Sequence, residues 1–237
     1  MLSVKYTNIL LLLITAFSSY SAQASVTLGS TRIIYHEKED SVSLEVSSHD
    51  KTPYLLQSWV AASAAPQSKE DNTAQNVPFI VTPPLFKISN GENNEINIIK
   101  TAEHLPEDRE SVFYLNVKAI PGKIDGSENT LLIAVKNTLK IIYRPDALAD
   151  DGVEKAWGKL SFTQHPGTLE ISNPSPYYIT FYSLTADGSK IDTRMHSMIS
   201  PFDKQTYALP HHTAHHIAWR VIGDLAQISD EKSKTLP

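Results

Sequence analysis

Few side chains in this sequence have the types and spacing that chemistry requires. His211, His212, His215 and His216 form the densest cluster. Histidines four apart share one face of a helix and can ligate zinc there. Pro210 precedes them and a β-type segment follows, so the run reads instead as a polar connecting loop. His36-Glu37 lacks the second histidine of a zincin motif. The sequence holds no Gly-x-Ser-x-Gly elbow and no phosphate loop. Cysteine is absent, which excludes a thiol nucleophile, a disulfide framework and a Cys-ligated zinc. No cofactor is implied, no metal site is assigned, and the chain does not read as an enzyme. Two cations remain, Arg32 in Thr31-Arg32-Ile33-Ile34-Tyr35 and Lys140 in Leu139-Lys140-Ile141. A basic residue inside a β run is ordinarily solvated at its tip. If both point into one cleft, they make an anion site suited to a carboxylate.

The elements that would position them are short strands. Val42, Leu44 and Val46 alternate with Ser43, Glu45 and Ser47, and Phe113, Leu115 and Val117 alternate with Tyr114, Asn116 and Lys118. Ile179, Phe181 and the segment from Ala218 to Ile222 are further strands. Turn residues separate them at His49-Asp50-Lys51, Asn90-Gly91, Asp125-Gly126 and Asp187-Gly188. No long segment carries a 3.6-residue apolar stripe. The pattern is that of an all-β protein of the β-sandwich type. Pro145 has no N–H to give a ladder, so a central strand ends there, and Asp146 to Gly152 has a linker's composition. This predicts domains over 25–145 and 146–237, about 120 and 90 residues, each sandwich-sized.

The chain is 237 residues long, with 21 Lys and Arg against 26 Asp and Glu and a net charge of −5. That balance argues against a nucleic-acid partner, which calls for a basic footprint. A hydrophobic fraction of 41% with 20% charged residues is that of a folded protein. At the start, Lys5, the apolar run Ile9 to Phe17 and the small-x-small end Ala22-Gln23-Ala24 follow the order of a secretory signal peptide over 1–24. The apolar run is about half of the roughly 20 residues that span a bilayer, so no stable membrane insertion is expected. Export without cysteine is compatible with the bacterial periplasm.

The segment Asn129 to Arg144, NTLLIAVKNTLKIIYR, is the most informative. Leu131, Ile133 and Val135 share one face of a strand, and Leu132, Ala134 and Lys136 the other. At roughly fourteen residues it is long against a typical strand of about 5–6. One reading is a central core strand covered on both faces. The other is an edge strand whose apolar face awaits another chain, an arrangement natural proteins avoid because it invites aggregation.

The sequence resembles the periplasmic pilus (fimbrial) chaperones of the chaperone–usher pathway over nearly all of the chain after Ala24. The resemblance rests on Thr31 to Tyr35, Thr82-Pro83-Pro84-Leu85-Phe86-Lys87, Leu105 to Ser111 (LPEDRES), Phe113 to Asn116, Ala119-Ile120-Pro121, the long strand, and Tyr143-Arg144-Pro145. It continues in Asn173-Pro174-Ser175-Pro176-Tyr177-Tyr178 and Gly223-Asp224. It implies two immunoglobulin-like β-sandwich domains in an L-shaped arrangement. It also implies donor-strand complementation, in which the chaperone lends a strand to a pilin subunit that lacks one and delivers it to an outer-membrane usher.

Position by position, the resemblance makes Arg32 and Lys140 the anchor of the subunit's C-terminal carboxylate. Asn129, Leu131, Ile133 and Val135 become the donor strand that fills the subunit's groove. Glu110, Arg144 and Asp224 become an inter-domain charge network. It further implies a cis Thr82-Pro83 bond, an isomer the sequence itself does not decide, and the short stretch from Ile120 to Leu131 resembles the short-loop subgroup. After Gly223-Asp224 the chain departs from the family pattern, reading Leu-Ala-Gln where an aromatic and glycines are common. Residues Asp230 to Pro237 read as a disordered tail, and the free protein is expected to self-associate to hide its edge. A periplasmic metal- or substrate-binding module using the His211–His216 cluster is the alternative function.

Overall fold

The computed structural model describes residues 26–64, 77–101, 105–123, 131–148 and 152–236. The signal-type segment, the Asp125-Gly126 turn and Asn129 lie outside them. Nine strands precede Pro145: β1 (Val26–Leu28), β2 (Arg32–His36), β3 (Ser41–Ser48), β4 (Tyr54–Ala61), β5 (Phe79–Thr82), β6 (Leu85–Ile88), β7 (Asn93–Lys100), β8 (Ser111–Pro121) and β9 (Val135–Arg144). A five-residue helix α1 (Gly152–Ala156) and a 3-10 turn (Trp157–Lys159) follow. Then come β10 (Ser161–His165), β11 (Thr168–Ser172), β12 (Ile179–Ala186), β13 (Ser189–Lys190), β14 (Met198–Ile199), β15 (Lys204–Ala208), β16 (His216–Val221) and β17 (Lys232–Thr235).

The first nine strands make one sandwich. A four-stranded sheet, β1-β3-β7-β5, faces a five-stranded sheet, β2-β9-β8-β4-β6. Alternation decides what lies between them, since every second side chain of a strand points inward. Leu44, Val46, Ile96 and Ile98 from one sheet meet Leu56, Leu115, Val117 and Ile141 from the other, all buried. Tyr35 and Phe79 meet edge to face at 5.1 Å, and Phe79 and Phe113 do so at 5.2 Å. The Tyr35 hydroxyl is satisfied inside this apolar cluster, donating to the Asp40 carbonyl and accepting from Lys100 N–H. The Thr82-Pro83 bond is cis.

The second sandwich pairs the sheet β10-β11-β15 with the sheet β13-β12-β16-β17, where β14 also pairs with β12. Its core gathers Phe162, Leu169, Ile171, Ile179, Phe181, Leu184, Tyr207, Ile217 and Trp219. Asp187 and Gly188 join β12 to β13 with φ of 48° and 78°, the double left-handed turn that matches a hairpin's twist. Gly152 opens α1 where a Cβ would stand 1.9 Å from the Tyr177 ring, so no larger residue fits between the helix and that ring.

Two expectations need correction. The long strand is regular only from Val135 to Arg144, ten residues, and Leu131–Ala134 before it stand outside the ladder with β8, which begins at Val135. The polar tail is ordered. Lys232 to Thr235 pair antiparallel with Trp219 to His216, and Leu236 behind them is buried at 4% exposure. An edge strand with exposed lysines needs no apolar alternation of its own, and the single apolar residue after it docks in the core. Among the described residues no helix is long and apolar enough to cross a membrane.

Candidate functional site

The geometry of β9 reconciles its two readings. From Lys140 to Tyr143 it lies inside the sheet, with β2 parallel on one side and β8 antiparallel on the other. From Val135 to Leu139 it pairs, among the described residues, with β8 alone, so its other edge is open there. The face that carries Leu139 and Ile141 into the core continues outward through Val135, Ile133 and Leu131, which are 51%, 66% and 83% exposed. An apolar stripe thus leaves the sandwich and ends in solvent, beside a row of unpaired backbone groups. Leu132 on the opposite face is exposed as well.

The open edge stops where β2 begins. Arg32, the first residue of β2, is the register partner of Lys140, and Tyr114 of β8 is the partner of Lys140 on its other side. Paired residues project to the same face, so these three form one row on the outer face of the five-stranded sheet. That face meets the second sandwich. Arg32 Nη1 donates to the Ile222 carbonyl at 3.3 Å, while Arg32 Nε is buried with no partner among the described residues. Burial pulls the Lys140 ammonium below its ordinary value and the neighbouring Arg32 charge adds to this. Burial also lowers Arg32, opposed by Asp224 and Glu110. Two partly buried cations in adjacent strands, about 4.8 Å apart, repel each other and favour an anion between them.

Four residues further along the same face, Arg144 is 2% exposed. Its Nε and Nη2 donate to Glu110 Oε1 at 2.9 and 2.7 Å, and its Nη1 donates to Asp224 Oδ2 at 2.7 Å. Glu110 Oε2 accepts the Tyr178 N–H at 2.7 Å. Glu110 and Arg144 belong to the first sandwich, Tyr178 and Asp224 to the second. Burial works against the Arg144 charge, but the Asp224 and Glu110 carboxylates more than offset it and hold its pKa above the ordinary arginine value. Burial pushes the Glu110 carboxyl up, against the pull of Arg144 and the Tyr178 N–H. A second contact joins the sandwiches, with the Arg109 guanidinium 4.9 Å from the Phe202 ring centroid.

Sequence reasoning did not reach Tyr114, the Tyr178 N–H, the Ile222 carbonyl or the Arg109–Phe202 stack. Tyr114 becomes visible only once strand register is known, and backbone groups leave no mark in residue type. The histidines lie elsewhere, before and at the start of β16. There the Asp187 carboxylate accepts the backbone N–H groups of His215 and His216, which hold its pKa down. It caps a turn with the oxygens a metal would need. Among the described residues no three His, Asp or Glu side chains are grouped to hold a metal ion, and the module built on His211–His216 is not favoured.

A tandem of immunoglobulin-like sandwiches, joined by a buried ionic brace and presenting an unfinished sheet edge, defines a protein built to hold another β-chain. Comparison with known proteins gives the family. Residues 25–149 match the pili and flagellar-assembly chaperone PapD N-terminal domain, and residues 155–233 match the pili assembly chaperone PapD C-terminal domain. The chain is 38% identical to the Escherichia coli chaperone protein FocC over 213 residues, 88% of each chain. It is 38% identical to the Salmonella typhimurium chaperone protein LpfB over 185 residues, 76% of each. Its structure resembles a chain of the Salmonella enterica SafA pilin–SafB chaperone complex, with a TM-score of 0.77, 30% identity, and coverage of 92% of this chain and 99% of that one. The chain belongs to the family of pilus-assembly chaperones.

Proposed function

We propose that the protein acts in the periplasm, where it captures pilin subunits by lending them the open edge of β9, caps their exposed groove, and hands them to an outer-membrane usher. The carrying observation is that the free edge, the apolar stripe and the cation pair share one end point. Because β2 occupies the edge of β9 from Lys140 onward, an incoming strand has to end where Arg32 stands. A strand that ends there and runs parallel to β9, as β2 does, brings its terminal carboxylate to Arg32 and Lys140. The anchor fixes register, so Leu131, Ile133 and Val135 enter successive pockets of the subunit, with Asn129 next on that face. A slip of one residue would turn Leu132, Ala134 and Lys136 inward and bury a charge. Burying three such apolar side chains contributes about 5–9 kcal/mol gross, and each charge-assisted bond to the carboxylate about 1.5–3 kcal/mol. The stripe therefore supplies most of the affinity, and the cations set register.

In this reading residues 1–24 direct export, and the chaperone unit spans 25–145 with a supporting domain over 146–237. The network of Glu110, Arg144 and Asp224 fixes the two relative to each other. Likeness to chaperones alone supports the usher as partner, and the short segment between Ile120 and Leu131 supports the short-loop subgroup. When free, the protein self-associates through the same edge, which otherwise stays open to aggregation.

The test is to tag the protein in its own host and identify what copurifies from the periplasm, against Lys140→Ala. Small exported subunits held by the wild type and lost by the variant support both capture and anchoring. Equal capture by both removes the anchoring role of Lys140. No captured subunit while pili are being made overturns the donor-strand reading.

A further inference from the structure

Three arginines meet a carboxylate through the Nε and Nη2 side of the guanidinium, and Arg144 uses Nη1 for a second one. Arg109 meets Asp108, Arg144 meets Glu110 and Arg194 meets Asp192, each through Nε and Nη2. In Arg32 the Nε on that side is buried without a partner among the described residues, and the bond to the second sandwich uses Nη1 instead. A side chain as flexible as arginine loses rotamer freedom on binding, and a guanidinium held in advance loses less.

The acceptor that holds it is itself fixed on both sides. Ile222 N–H donates to the Thr180 carbonyl, and Ile222 bridges to Ile228. Beyond it, Gly223 N–H donates to the Gln227 carbonyl at 2.8 Å, Ala226 N–H to the Gly223 carbonyl at 3.0 Å, and Ser229 N–H to the Val221 carbonyl at 2.9 Å. The Ser229 hydroxyl accepts Val221 N–H. The same turn carries Asp224 into the Arg144 brace, and it faces the Leu28–Ile34 segment across a crevice of about 540 Å³.

We propose that the turn from Ile222 to Ser229 in the second sandwich is a positioning element for the carboxylate anchor. The Ile222 carbonyl tethers Nη1 of Arg32 and so holds the guanidinium in the row with Lys140, where the open edge of β9 stops. This rests on the anchoring role proposed for Arg32 and Lys140. It gives the second sandwich a direct part in recognising the subunit's terminus.

The probe is a ten-residue alternating Val-Thr peptide, as the free acid and as the C-terminal amide, titrated into the full protein. The wild type prefers the acid by about tenfold or more, as charge-assisted bonds require. Gly223→Pro removes the N–H that closes the turn and restricts Ile222 before it. It is expected to cut the preference to about threefold or less while Lys140 stays in place. In an Arg32→Ala background the same substitution changes nothing further, because the tether has nothing to hold. A full preference in Gly223→Pro, or an equal loss in both backgrounds, overturns the inference. No preference in the wild type overturns the anchoring role instead. If Gly223→Pro does not fold, relaxation of Arg32 15Nε in the wild type decides. An order parameter near the rigid-backbone value of about 0.85 supports the tether, and one below about 0.6 overturns it.

Discussion

Arg144 places two donors on one oxygen of Glu110, Oε1, and leaves Oε2 to the Tyr178 N–H of the other sandwich. With Arg144 Nη1 on Asp224, each member of this pair holds its neighbour and also reaches across the domain boundary. A buried guanidinium is tolerable here because it meets two carboxylates at hydrogen-bond distance.

Removing one member is therefore expected to cost far more than a surface ion pair. Glu110→Gln leaves Arg144 buried with one carboxylate and is expected to lose about 3 kcal/mol, the scale for breaking a buried pair. Urea denaturation followed by tryptophan fluorescence measures it. A loss below about 1 kcal/mol, typical of exposed pairs, would show that the brace adds little.

Ile133 is two-thirds exposed, so Ile133→Asp is expected to leave stability within about 0.5 kcal/mol of the wild type. Subunit capture is expected to fall below detection, since an ionised carboxylate cannot enter an apolar pocket unpaired. Sedimentation at tens of micromolar reads the second consequence: self-association of the wild type disappears in the variant. A strict monomer in both would remove self-capping.

The anchoring role proposed for Lys140 carries its own pH dependence. Its pKa in the free protein lies below the ordinary 10.5 because of burial and then Arg32. The unfolded chain thus binds more protons between the two values, and stability of the free protein rises with pH across that window. Binding a carboxylate favours the charged lysine, so affinity falls as pH rises through the lowered pKa. Titrating the acid peptide from pH 7 to 10.5 is expected to show that decline, and Lys140→Gln is expected to flatten it.

Leu236 anchors the last strand with 4% exposure. Leu236→Ala is expected to destabilise the second sandwich by about 2–3 kcal/mol through transfer and cavity terms. It is also expected to raise hydrogen exchange along β16, whose edge β17 covers. Unchanged exchange at Ile217 and Trp219 would show that β17 contributes no cover.

The strands legible in the sequence were those whose alternation reports burial. Leu115 and Val117 are buried, as their spacing predicts. β17 had no such signal, because KSKT is exposed along its whole length and is held by ladder bonds plus one leucine. The ten-residue limit of β9 was equally hidden, since Leu131 to Ala134 have the composition of the strand yet stand outside its ladder. Arg32 and Lys140 stood out as cations inside apolar runs, and their adjacency needed the parallel register of β2 and β9. The group that holds the Arg32 side chain is a main-chain atom, Ile222 O, which no residue pattern encodes.

The start of β2 at Arg32 makes the open edge of β9 a slot closed at one end. On the proposed reading such a slot gauges distance from a chain's last residue: a strand seats only if its final carboxylate reaches the stop while its apolar positions fall in step with the stripe. A polypeptide still being synthesised, clipped short or extended by a few residues offers no end at that distance. On that reading the protein inspects for completeness, accepting a subunit only once its chain reaches its last residue.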